Sequence, residues 1–212
     1  MSPRTKEQFQ SMQDKTRERI LDAGLLLFSR SGLAAVNVTQ IAREAGISLG
    51  LLYHYFPSKE ALFSALVTMA IQGAIKALDA TAGEEAQPAV QIHRMSNMVS
   101  TTLSGDNKTA DYFLLLLQAG LAASQQKEGG EPPIEMTRMA AAFDHLEKWI
   151  QAGQREGTVK PGDPRPMAQL YWAAFQGLCL YKMTMRRFAP PEAALLDGIL
   201  LTEKGCAQIH EL

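Results

Sequence analysis

Cysteine is nearly absent: the 212 residues contain two, Cys179 and Cys206. Both lie in apolar helical patterns far apart in the chain, so they read as reduced core thiols, which excludes a disulfide framework or a zinc ligand set. The four histidines, His54, His93, His145 and His210, are scattered. With no His-Glu-x-x-His, no glycine-rich phosphate loop and no Gly-x-Ser-x-Gly elbow, the chain offers no acid–base constellation, and no enzyme activity, metal or cofactor is expected. Long apolar runs are missing as well. The longest, Tyr112 to Leu117, stops at Gln118, far short of the ~20 residues of a membrane span. Met1 to Asp14 are polar, without the apolar stretch of a signal peptide, which predicts a cytoplasmic protein with no membrane partner. A basic surplus is lacking too, since the net charge is -1. The charge is unevenly placed, with eight Lys/Arg against six Asp/Glu in residues 1–60 and thirteen against sixteen in residues 61–212. The bias is small, and it excludes a partner that is held by global positive charge.

What the chain has in quantity is helical period. Apolar residues make up 46% of it, enough for a sizeable core, and beyond residue 80 no strand-like alternation interrupts them, so an all-α fold is predicted. Ile20, Ala23, Gly24, Leu27 and Phe28 form the core stripe of a helix over 15–31 that Gly32 closes. Asn37 with Gln40 three residues on is a capping-box pattern; it opens a second helix with Ile41, Ala42 and Ala45 as its apolar face and Gly46 where a left-handed residue would end it. Ile47 plugs the turn, Ser48 is the next N-cap, and Leu49 to Tyr55 make a short second helix. Pro57 then stops the chain and Ser58 caps a long helix carrying Leu62, Phe63, Leu66, Val67, Ala70 and Ile71. Such a helix-turn-helix needs support from helices on either side, and it can lay its second helix in the major groove of DNA. Its side chains suit that task. The hydroxyls of Thr39, Ser48 and Tyr53, the His54 ring, Arg43 and Lys59 are types that contact phosphate or base edges, and Gly50 removes a side chain where backbone approaches a partner. The same turn also occurs as plain packing between helices.

The run Thr-x-Ile-Ala-x-x-Ala-Gly-Ile-Ser-x-Gly-x-Leu-Tyr-x-Tyr-Phe-x-x-Lys-Glu-x-Leu (Thr39 to Leu62), preceded by Arg19-Ile20-Leu21-Asp22-Ala23 and Leu27-Phe28, resembles the N-terminal domain of the TetR (tetracycline-repressor) family over roughly residues 15–74. The remainder matches in layout. The resemblance implies an N-terminal arm over 1–14, a three-helix DNA-binding domain over 15–74 with its helix-turn-helix at 37–56, and a helical ligand-binding and dimerisation domain over 75–212. It implies a homodimeric, ligand-responsive transcription factor, usually a repressor, on double-stranded DNA with a palindromic operator. The base-facing positions would be Leu49 and Leu51, a departure from relatives that carry polar or basic residues there; apolar contact with thymine methyls is the readout open to them. The rival reading is a helical interaction protein whose helix-turn-helix is structural.

Further helices are predicted over 86–103, 109–126, from Met136 to a loop at 157–166, and over 167–187 and 192–209. Met95, Tyr112, Phe113, Met139, Phe143, Trp172 and Phe175 lie on helices that converge. They read as core, with some available to line a pocket for a small apolar or amphipathic ligand. Ala173, Ala174, Gly177, Leu178 and Tyr181 on one helix and Leu195, Ile199, Thr202 and Cys206 on the last form stripes whose small residues permit close helix approach. They pack within the chain or, as the resemblance implies, build a four-helix interface with a second copy. The helix over 58–80 is the expected mechanical link between the two ends.

Overall fold

A computed structural model describes the backbone of residues 6–81, 86–105, 107–124, 134–185 and 187–210, and the side chains of residues 11–76, 86–105, 108–122, 144–185 and 187–209. The described residues form α1 (Lys6–Ala35), α2 (Val38–Glu44), α3 (Leu49–Tyr55), α4 (Lys59–Thr81), α5 (Pro88–Ser104), α6 (Asn107–Ser124), α7 (Ile134–Glu156), α8 (Pro164–Thr184), α9 (Ala193–Leu200) and α10 (Glu203–His210). None of these helices is long and apolar enough to cross a membrane. No group of three or more metal-ligating side chains occurs among the described residues.

One core lies beneath α3. Ile20 and Phe28 of α1, Ile41 of α2, Leu52 of α3 and Leu62 and Leu66 of α4 are fully buried in it, each worth about 1.5–3 kcal/mol of apolar transfer. Phe28 and Phe63 meet edge to face with centroids 5.2 Å apart. Gly24 lets α4 come close to α1: a Cβ there would lie 2.9 Å from Leu62 Cδ2. α1 is longer than the sequence reading. It begins at Lys6, so residues 6–14, read as an arm, are helical; Glu, Gln, Met and Lys all favour helix and no glycine or proline interrupts them. Gly32 does break the helix, at φ 72 and ψ 168, and the chain resumes helical form to Ala35.

The second core joins Ile92, Met95 and Val99 of α5 to Leu146 and Ile150 of α7, Tyr171 and Phe175 of α8 and Leu200 of α9. α6 belongs to both. Its Leu115 and Leu116 complete the first core, while Ala110 and Phe113 face the second. α6, beyond residue 74, thus packs on the helices of residues 15–74 as well as on the second core. The seam between α1 and α6 is polar: Ser29 Oγ donates to Asp111 Oδ1 at 3.0 Å, and Lys108 Nζ pairs with Asp22 at 2.7 Å. Gln118 Oε1 fills the space a Cβ at Gly32 would need, at 2.9 Å.

The C-terminal third departs from the reading at two places. α8 starts at Pro164, because Asp163 Oδ1 accepts the Arg165 amide at 3.1 Å and proline at the first helical position needs no N–H partner. The last helix is split. Leu201 is extended and bridges Val159, with Lys160 N donating to Leu200 O at 2.8 Å and Thr202 N to Thr158 O at 3.0 Å. Thr202 then caps α10, its Oγ1 accepting the Gly205 amide at 3.2 Å.

Candidate nucleic-acid interface

The helix-turn-helix is shaped by local hydrogen bonds. The Gln40 amide donates to Asn37 Oδ1 and the Asn37 amide to Gln40 Oε1, both at 2.9 Å, so the capping box is reciprocal. Gly46 has φ 62. Around it Ile47 N donates to Ala42 O at 3.0 Å and Gly46 N to Arg43 O at 3.1 Å, the paired bonds of a left-handed helix end. Two residues on, Ser48 Oγ accepts the Leu51 amide at 3.2 Å and starts α3.

These caps leave α3 with two unlike faces. Leu52 is wholly buried, and Phe56, just past the end, is 5% exposed. Leu49 (38%), Leu51 (39%) and Tyr53 (46%) stand out into solvent. Gly50 and His54 are exposed beside them, and a Cβ on Gly50 would meet nothing within 4 Å. Thr39, Arg43 and Ser48 are exposed on α2 and at the turn. Eight of the nine residues read as DNA contacts are thus available to a partner.

Lys59 is the exception. Its Nζ donates to Leu33 O and Val36 O, both at 2.9 Å, tying the start of α4 to the end of α1. Carbonyls at the negative end of a helix attract an ammonium that the sequence alone would assign to phosphate. Two further basic residues of α1 reach the motif. Arg19 Nη2 donates to Ala45 O and, at 3.0 Å, to Gly46 O, while the Arg17 guanidinium lies 5.4 Å from the centre of the Phe56 ring. Their partners are distant in sequence, so no local pattern points to them.

The profile of the bacterial regulatory proteins of the tetR family matches residues 20–66. The transcriptional regulatory protein RaaS of Mycobacterium tuberculosis is 32% identical over 181 residues, which cover 84% of this chain and 77% of that one. The chain belongs to the TetR family. It is a DNA-binding regulator of transcription, not an enzyme, as are the relatives it matches. The fold of this TetR regulator is shared by the ketosteroid regulator KstR2 of M. tuberculosis (TM-score 0.69, 20% identity, 88% of this chain and 95% of that one). A Saccharomonospora viridis protein solved with choline shares it too (TM-score 0.61, 21% identity, 87% and 93% covered).

The other candidate sites of the TetR regulator are only partly assembled as read. Met95 and Phe175 are fully buried core, and Phe113 meets Phe175 edge to face with centroids 4.3 Å apart. Tyr112 packs instead against the first core, because it shares the face of α6 that carries Leu115 and Leu116, three and four residues on. The side chains of Met139 and Phe143 lie outside the described residues. Trp172 (9% exposed) floors a cleft of about 370 Å³ between α7 and α8, with Asp144, Glu147 and Gln176 on its walls.

Of the stripes read as interface, Ala173, Tyr181 (57%) and Leu195 (69%) are exposed, and Gly177 faces open space. Ala174 is half-buried. Leu178, Ile199 and Cys206 instead pack against the chain's own second core, and Thr202 is a helix cap. The break at Leu201 changes the register of everything after it. Leu170 (62%) and Leu180 (50%) extend the exposed face of α8.

Proposed function

We propose that this TetR regulator is a homodimeric repressor that reads a two-fold symmetric operator with α3 and is released by a small molecule. The observation that carries the reading is the outer face of α3. Two leucines, a tyrosine and a histidine are held exposed around a glycine with open space above it. An exposed apolar group on a capped helix is favourable once covered, and the thymine methyl is the apolar group the major groove offers. Thr39, Arg43 and Ser48 supply phosphate donors beside it.

A second copy on the Leu170, Ala173, Gly177, Leu180, Tyr181 face would cover that stripe, and reading two half-sites requires the two α3 helices of such a dimer to stand about 34–36 Å apart, one turn of DNA. A ligand with an aromatic or cationic part suits the Trp172 cleft and the Phe113–Phe175 pair behind it. The choline complex of a fold neighbour supports a small molecule in this architecture.

Selection of bound genomic fragments should recover a palindrome, and Leu51→Ala should change base preference more than affinity. Binding without sequence preference would overturn the reading and favour an interaction module. For the dimer, Gly177→Arg is informative because a Cβ there would meet nothing within 4 Å among the described residues of a single chain. The fold should stand while light scattering reports a monomer; an intact dimer would sink the proposed face. Release by ligand has a reciprocal signature: a compound that raises the melting temperature of free protein should bind roughly 5- to 150-fold more weakly when operator is present.

A further inference from the structure

We infer that Arg19 is a positioning residue for the recognition helix: it locks the turn between α2 and α3 from its place on α1, and it does so without touching DNA. The inference rests on the DNA-reading role proposed for α3. α2 is seven residues long, and a helix so short leaves most of its last carbonyls without intrahelical donors. The turn satisfies two of them itself, through the Gly46 and Ile47 amides. Ala45 O and Gly46 O are satisfied by Arg19 Nη2, which bridges both. α3 begins immediately afterwards, at the Ser48 cap.

The apolar groups under the motif, Ile41, Ala45 and Leu52, hold α2 and α3 against the core, but burial has no direction. It sets how close a short helix lies and leaves its rotation soft. Hydrogen bonds are directional, and Arg19 places one donor across two consecutive carbonyls. α1 is a firm base for it. Ile20 and Ala23 beside Arg19 are buried, and Asp22 is paired with Lys108 of α6. Gly46 is matched to the contact twice over: its φ is 62, and a Cβ would lie 2.7 Å from Arg19 Nη2.

The surroundings also argue against a phosphate on this guanidinium. Arg19 lines a small cavity of about 230 Å³ together with Asp22 and Glu44. The Glu44 carboxylate repels a DNA backbone and favours the carbonyl contact, while the charge of Asp22 is offset by Lys108.

The test compares wild type, Arg19→Lys and Arg19→Met on selected operator and on random-sequence DNA over a salt series. Amide exchange on the free proteins is measured alongside. Arg19→Met should lower operator affinity about tenfold, leave random-DNA affinity and the slope of log K against log salt unchanged, and speed exchange at Ile47 and Leu52 while Phe28 stays protected. Arg19→Lys, which keeps a cationic donor, should recover most of the operator affinity. The inference is overturned by an Arg19→Met protein that binds operator like wild type. It is equally overturned by a salt slope reduced by about one with both DNAs weakened alike, which would make Arg19 a phosphate contact. A uniform loss that tracks melting temperature and is not recovered by lysine would reduce it to a stabilising role. A wild type with no preference for operator over random DNA would instead remove the reading of α3 on which the inference stands.

Discussion

The core beneath α3 and the core among α5, α7, α8 and α9 bury similar aliphatic side chains but treat polar groups differently. In the first, the buried polar residues among those described are Ser29 and Asp111, hydrogen-bonded to each other where α1 meets α6. In the second, Ser96, Thr158 and Asp197 lie inside. Ser96 Oγ and the Tyr171 hydroxyl share a hydrogen bond of 3.0 Å. Asp197 Oδ2 is 2.6 Å from His93 Nδ1, while its Oδ1 has no hydrogen-bond partner among the described residues. A buried acceptor left short is costly, so the second core gains from any rearrangement or bound donor that completes it. Among the described residues the first core holds no such unpartnered acceptor. The buried polar pair of the first core is complete and that of the second leaves an acceptor short, a difference that the proposed ligand-controlled DNA binding would use.

The largest effect that would break this comparison is expected from Leu52→Ala. A cavity under α3 should cost about 2–5 kcal/mol, read as a lower urea midpoint, and operator binding should go with it. A cost below about 1 kcal/mol would mean that the first core yields as readily as the second. Ser29→Ala and Ser96→Ala come next, each stripping one buried hydrogen bond at about 1–3 kcal/mol. Their consequences should differ. Ser29→Ala loosens α6 on α1 and should weaken operator binding, whereas Ser96→Ala should leave DNA affinity alone; gel shifts showing equal loss for both would erase the distinction.

The smallest effect at neutral pH is a difference in alkali. Burial pushes the Tyr171 hydroxyl from 10.0 up to about 12, against the opposing Ser96 hydrogen bond, and the Cys179 thiol from 9.0 up to about 12. The folded chain keeps these protons when the unfolded chain has released them, so their contribution is complete below pH 9 and is lost as pH rises towards about 12. Melting temperatures should coincide between about pH 7 and 8.5 and decline above 9. Tyr171→Phe with Cys179→Ala should flatten the decline, and an undiminished slope would assign it to groups outside the second core.

How much of this was legible in the sequence depended on the reach of each contact. Asn37 with Gln40, Gly46, Ser48 and Ser58 act on backbone within a few residues, so their types and spacing were sufficient to place α2, α3 and the start of α4. Leu49 and Leu51 were placed on the outer face by the family resemblance, and both are exposed while Leu52 is buried. Lys59 looked like a phosphate ligand and Arg19 like no more than part of a motif, because nothing nearby reveals that carbonyls more than twenty residues away in the chain claim them. The direction of Tyr112 was hidden for a related reason: α6 is apolar on most sides, and only packing decides which side meets which core. The break at Leu201 had a local trace in Thr202-Glu203, a plausible cap and first turn, but the apolar spacing of Ile199, Cys206 and Ile209 runs through it unbroken.

The double allegiance of α6 sets a rule for building chimeras from this regulator. Grafting its reading head onto another sensor by cutting after α4 would leave the Leu115 and Leu116 sockets empty, Ser29 facing a stranger, and the notch at Gly32 without Gln118. A transplant that carries the α1-facing residues of α6 along with residues 6–81 keeps the head's own filling. A shorter one would have to find that filling in its host.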